Sequence, residues 1–140
     1  MKLLLDTCVL SELQKTNCNP VVKEWVFSVS DCDTFISVMS IGEILKGINL
    51  LEKGHFQSEL ISWLGNIERY YEKQILPIDI ETTKIWAEIT ATAQKSGKIL
   101  PAIDTLIAAS AIKHGLHVMT RNVKDFKPTG ALIINPWETQ

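Results

Sequence analysis

Long apolar runs are missing from this sequence, and none approaches the roughly 20 residues that a membrane-spanning helix requires. The opening Met1-Lys2-Leu3-Leu4-Leu5 meets Asp6 too soon to be a secretory leader, so a cytoplasmic protein is expected. Cysteine is scarce. Cys8, Cys18 and Cys32 are odd in number and form no CxxC pair, which favours reduced thiols over a disulfide framework. His55, His114 and His117 do not supply the tight Cys/His spacing of a zinc site, and all six residues read as structural or incidental. Net positive charge is lacking too. A formal charge of −2 argues against a protein that coats nucleic acid through bulk charge. It leaves room for a nuclease, because local basic patches can steer a polyanion past an acidic site. Repeats, low-complexity tracts and long linkers are absent.

What is present fits one domain spanning residues 1–140, with 46% hydrophobic and 21% charged residues, enough to bury a core without disulfides. Helical and strand-like patterns alternate, which predicts an α/β fold around a mostly parallel sheet. Lys2–Leu5 reads as a buried first strand with Asp6 at its carboxyl end, followed by a short helix through Leu13. Asn19-Pro20 opens a helix with Val22, Trp25, Val26 and Val29 on one face. Thr34–Ile36 is a second strand. Ser40–Leu51 is a helix ended by Gly54, its stripe formed by Ile41, Ile44, Leu45, Ile48 and Leu51. A helix over 57–71 turns Leu60, Ile61, Leu64 and Ile67 inward. Leu76-Pro77-Ile78 makes a poor central strand, because proline donates no hydrogen bond. Helices over 81–95, ended by Gly97, and from Pro101 to His114, ended by Gly115, precede strands at His117–Thr120 and Leu132–Ile134. The helix beginning at Pro101 is almost wholly apolar or small, so burial on most sides is expected.

Most acidic residues, among them Glu52, Glu59, Glu68, Glu72, Glu81, Glu88 and Glu138, lie in polar surroundings that suit solvated surface. Four do not. Asp6 ends an apolar strand, Glu43 falls inside an apolar helix, Asp104 is embedded in the most apolar helix, and Asp125 follows the strand ending at Thr120. A buried unpaired carboxylate costs several kcal/mol, so such groups must be hydrogen-bonded, ion-paired or metal-bound. Each has a plain alternative: Asp6 as a helix cap, Glu43 and Asp104 as first-turn acids favoured by the dipole, Asp125 as a turn residue. Together they are harder to dismiss, because groups beyond the carboxyl ends of parallel strands converge on one crevice and acids without a cation repel. Hard oxygen ligands suit Mg²⁺ or Mn²⁺, which can activate water and stabilise charge on a phosphoryl group.

At these residues the sequence resembles the PIN-domain family, specifically its VapC-like and FitB-like toxins. Leu4-Leu5-Asp6-Thr7-Cys8-Val9-Leu10-Ser11-Glu12 is similar to the family's strand-to-helix opening. Ser37–Ile44 around Glu43, Pro101–Ala108 around Asp104 and Thr120–Phe126 around Asp125 are similar to its second, third and fourth motifs, and Ile134-Asn135-Pro136-Trp137 also fits. One departure is Cys8, where the family often has asparagine, and it bears on a local hydrogen bond. The resemblance implies a PIN-like three-layer α/β/α fold with a central parallel sheet and an acidic pocket binding one or two divalent ions. It implies an endoribonuclease, often acting on a structured RNA such as a transfer RNA. It further implies a homodimer and a cognate VapB-like antitoxin that inserts a segment into the active-site groove.

Asp6 and Asp104 are then the first choices as direct metal ligands, with Glu43 and Asp125 completing the site directly or through water. Thr7 and Thr120 are orienting hydroxyls or simply turn and cap residues, and Asn122 holds Asp125 or a water, or only shapes its turn. Lys46, Lys98, Arg121 and Lys124 lie near the motifs and are candidates for RNA phosphates or plain surface charges. Trp25, Trp63 and Trp86 fall on helical faces that suit core or interface anchoring rather than base stacking. The alternative is a catalytically inactive PIN-fold module that binds nucleic acid or protein. An aspartate-nucleophile phosphatase would want a second aspartate where Cys8 stands, and a receiver domain would want a lysine after its last strand.

Overall fold

Three consecutive leucines form β1 (Leu3–Leu5), all wholly buried, as expected of a strand covered on both faces. The computed structural model describes residues 1–138 and continues with α1 (Thr7–Leu13) and α2 (Pro20–Ser28). Asn19 caps α2 by accepting from the N–H groups of Val21 and Val22, and Pro20 occupies the position where a missing donor costs nothing. β2 (Thr34–Ser37) leads into α3 (Val38–Asn49), whose start is capped by the Ser37 hydroxyl, and α4 (His55–Tyr70) follows. β3 (Ile75–Leu76) is only two residues long and stops before Pro77. Then come α5 (Ile80–Lys95), α6 (Ala102–His114), β4 (His117–Met119), α7 (Val123–Phe126) and β5 (Leu132–Ile134). Gly115 ends α6 in the left-handed conformation at φ 66°, which a side chain would strain.

The five strands are all parallel, in the order β3-β2-β1-β4-β5. β3 takes an edge, where a proline's missing donor is tolerated. The order reverses between β1 and β4, so the crevice beyond their carboxyl ends is the switch point of the sheet. The Asp6 N–H donates to Met119 O at 3.0 Å and extends the β1–β4 ladder by one residue.

Alternation along the strands divides the core. Leu3, Leu5, Ile36, Met119 and Ile134 pack with Val9, Val22, Val26, Ile44, Ile48 and Leu64 under α1–α4. Leu4 and Val118 face the other way, onto Ile107, Ala108, Ala111 and Phe126 of α6 and α7, and α5 covers α6 from outside. The result is the three-layer α/β/α arrangement expected from the motifs. Thr105 and Ile107–Ala111 are all buried, so α6 is enclosed on most sides as its composition suggested. An Asp79–Lys113 ion pair ties the start of α5 to α6 and holds the Asp79 carboxyl below its ordinary range. Among the described residues no helix is long and apolar enough to cross a membrane.

Three expectations need correction. Leu45 and Ile61 lie outside the core at 41% and 49% exposure, because the apolar stripes of α3 and α4 are wider than the area their neighbours cover, and Leu51, at 37%, lies beyond the end of α3. Gly54 does not end α3, which stops at Asn49, but stands at the start of α4. The segment after Asn122, where Asp125 was open to being a turn residue, is a short helix. We predict that Leu4→Ala destabilises the protein by about 3 kcal/mol, whereas Leu132→Ala, on the exposed side of edge strand β5, costs under about 1 kcal/mol. Urea unfolding distinguishes the two.

Candidate active site

Asp6 is where the sheet hands over to α1. Its N–H completes the ladder with β4, and its carbonyl accepts from Val9 and Leu10 to begin the helix. With both backbone groups committed, its carboxylate is free of capping duty, and it makes no side-chain cap bond. It accepts instead from the Thr120 hydroxyl at 2.8 Å and the Cys8 thiol at 3.5 Å. Thr120 lies one residue beyond β4 and is wholly buried, so the β1–β4 register sets this pair side by side. The Thr120 hydroxyl also accepts from Asn122 N–H at 2.9 Å, which bends the chain into α7.

Glu43 reaches the same cleft from α3. It sits in the second turn, not the first, so the dipole reading does not account for it. Its Oε1 accepts from the Thr7 hydroxyl at 2.6 Å. Asp104 projects from the first turn of α6, and Asp125 from α7. A single amide joins them: Asn122 Nδ2 donates to Asp104 Oδ2 at 3.1 Å and to Asp125 Oδ2 at 2.8 Å.

An open cleft of about 520 Å³ is lined by Asp6, Thr7, Cys8, Glu43, Asp104, Arg121 and Asn122. Asp125 and Thr120 do not line it: Asp125 is joined to the cleft through the Asn122 amide, and Thr120 through its hydrogen bond to Asp6. Every hydrogen bond to a carboxylate of this group comes from a hydroxyl, thiol or amide, and among the described residues none of the four carboxylates has an ion-pair partner. The electrostatics follow. Burial pushes the Asp104 carboxyl up to about 6, helped by the charges of Asp6, Glu43 and Asp125. Burial also raises Asp6, with Glu43 adding to it, against the opposing pull of Thr120, the Thr7 N–H and Cys8.

Such a donor set suits a hard divalent cation: carboxylate oxygens, no cationic neighbour in contact, and mutual repulsion that a cation would relieve. Yet no group of three or more His, Cys, Asp or Glu side chains among the described residues is arranged to hold one ion directly. An ion here would take few protein ligands and keep waters, as Mg²⁺ commonly does.

Of the basic candidates, only Arg121 lines this cleft. Lys98 borders a separate hollow with Glu88, Thr92 and Pro128, and Lys46 and Lys124 are exposed. Two residues do more than the sequence reading gave them. Cys8, read as structural or incidental apart from a local hydrogen bond at its motif position, lines the cleft, and burial pushes its thiol up. Glu12 is a buried acid that accepts from Asn19 N–H at 3.0 Å and from Lys15, closing the turn between α1 and α2. Its spacing of three from buried Val9 was the available signal. His55 pairs with Glu59 on the surface of α4, and neither His114 nor His117 lines the cleft.

The family model described as PIN domain matches residues 3–131. The chain is 32% identical to the VapC ribonuclease Y4jK of Sinorhizobium fredii, over 97% of this chain and 98% of that protein. It is 34% identical to the toxin FitB of Neisseria gonorrhoeae, over 96% and 98%. A solved structure of FitAB bound to an IR36 DNA fragment contains a chain that superposes with a TM-score of 0.91 at 32% identity, over 99% of this chain and 97% of that one.

The raised Asp104 carboxyl carries a stability consequence. Without divalent ions, the folded protein keeps a proton there that the unfolded chain releases near 3.8, so the stabilisation is complete below that pH and lost as pH rises through about 6. Asp104→Asn should therefore stabilise the ion-free protein at about pH 7.5 by on the order of 1 kcal/mol, a figure reduced because the group is only half-buried. The difference should vanish near about pH 3.5. Chemical denaturation with chelator present measures it, and a less stable variant at neutral pH would contradict the repulsion.

Proposed function

This chain belongs to the PIN-domain family, and we propose that it is the toxin of a type II toxin–antitoxin pair, a single-domain endoribonuclease dependent on Mg²⁺ or Mn²⁺. The observation that carries the chemistry is the convergence of Asp6, Glu43 and Asp104 on one cleft, with Asp125 bridged to it, all oriented by neutral donors alone. The names of the relatives, VapC ribonuclease and toxin FitB, support RNA as the substrate and growth restraint as the role.

Asp6 and Asp104 would hold the ion directly, with Glu43 and Asp125 acting through water. When bound, such an ion supplies an activated water and offsets negative charge building on a phosphodiester. Thr120 holds Asp6 by one oxygen, Thr7 holds Glu43 by one oxygen, and Asn122 holds one oxygen each of Asp104 and Asp125. Among the described residues Glu43 Oε2 accepts no hydrogen bond, which leaves it open to water in the cleft. A structured RNA such as a transfer RNA is the proposed target. The proposed partners are a second copy of the chain and a VapB-like antitoxin whose inserted segment fills the cleft, and the proposed setting is the cytoplasm.

The decisive experiment induces expression and sequences RNA 5′ and 3′ ends, comparing wild type with Asp104→Asn. We expect cuts concentrated at one RNA site, and their loss by about 10²–10³-fold or more in Asp6→Asn or Asp104→Asn while circular dichroism remains native. Full cleavage by both variants would defeat the mechanism, and native folding without any cleavage by wild type would favour the inactive binding module. Calorimetric titration with Mn²⁺ supplies a further check. Asn122→Ala should weaken binding about 10–100-fold by releasing two carboxylates, and binding in wild type should weaken as pH falls below about 6, where Asp104 takes up a proton.

A further inference from the structure

Carboxylates around one cleft repel the phosphates that a nuclease must admit, so the rim needs a fixed positive group in addition to any ion. Arg121 is the one cation among the described residues that line the cleft. Its N–H donates to Cys8 Sγ at 3.4 Å, which fixes the backbone where it leaves β4. Its guanidinium stands over the Trp137 ring, 5.4 Å from the centroid. Trp137 is itself held: Pro136 before it is buried, its N–H bonds to Asn135 Oδ1 at 3.0 Å, and its ring packs against the core under α1–α4. Although acids surround it, Arg121 makes no ion pair among the described residues. An unrestrained arginine so close to several carboxylates would swing onto them. This cation–π contact with a fixed indole keeps the guanidinium on the rim, where exposed Arg121 can present its planar N–H fork to two oxygens of one phosphate.

We infer that Arg121 is the phosphate-binding residue of the cleft and that Trp137 is its positioning residue, holding the guanidinium where an RNA strand enters. The inference rests on the ribonuclease reading. It gives a role to the carboxyl-terminal Asn135-Pro136-Trp137 segment, which the carboxylate chemistry leaves without one.

The test measures RNA binding in the uncleaving Asp6→Asn background across a salt series, and steady-state cleavage in the otherwise native chain. Arg121→Gln should weaken binding about 10–100-fold and make the log–log salt slope shallower by about 0.7, the value of one phosphate contact on a single strand. Arg121→Lys should keep the slope yet raise KM about tenfold, because the charge remains and the stacked fork is lost. Trp137→Leu should raise KM about tenfold with kcat within about twofold, and Trp137→Phe should recover most of the loss. Mn²⁺ affinity should not weaken in any of these variants. An unchanged slope in Arg121→Gln, or a Trp137→Leu defect in kcat and Mn²⁺ affinity that follows its melting temperature and is not rescued by phenylalanine, would overturn the inference while wild-type cleavage still supports the function. Absence of cleavage by wild type would remove both.

Discussion

The hydrogen bond from Asp6 N–H to Met119 O is the contact to which the rest of the site is referred. It carries the β1–β4 ladder one residue past the strand and brings Asp6 beside Thr120 at the point where strand order reverses. The Asp6 carbonyl then starts α1, which delivers Thr7 to Glu43 and Cys8 to the cleft wall. A slip of one residue in this register would turn Asp6 toward the opposite face of the sheet and leave Glu43 without its hydroxyl partner.

The arrangement places four acids by means of groups that carry no charge. Hydroxyls and an amide fix direction without neutralising anything, so burial first and the neighbouring acids second leave the Asp104 carboxyl raised in the folded state. Cationic partners would have stabilised the ion-free fold more and left less to attract a divalent ion. The scaffold bears this opposition because the acids meet beyond the carboxyl end of the central strand, while wholly apolar packing lies next to them in Leu3–Leu5, Val118 and Ile107.

Much of this was legible in the sequence, for identifiable reasons. Buried parallel strands announce themselves as short apolar runs, and Leu3–Leu5 and Leu132–Ile134 were readable as such. Asn19-Pro20 and Gly115 punctuate helices through chemistry that needs no tertiary context. Asp6, Glu43 and Asp104 stood out because acids in apolar runs demand explanation. Leu45, Leu51 and Ile61 did not betray their exposure, because periodicity shows which face is apolar and not how much of that face a neighbour covers. Asn122 was noticed for Asp125 alone, since its bridge to Asp104 depends on how closely α6 approaches α7. Cys8 looked incidental because a thiol acquires meaning only from what lies against it, here Asp6, Thr120 and the Arg121 N–H.

The strands are only two to four residues long, so at about 3.3 Å per residue the sheet stands little more than 13 Å tall. A scaffold this shallow has no insulating layer between its foundation and its reactive rim. The Cα of Leu5 is one peptide away from that of Asp6, and Met119 is bonded to both Asp6 and Thr120 through the backbone. Interior packing and carboxylate aim are thus mechanically continuous, and a core substitution that shifts Leu5 or Met119 displaces the Asp6 carboxylate with it.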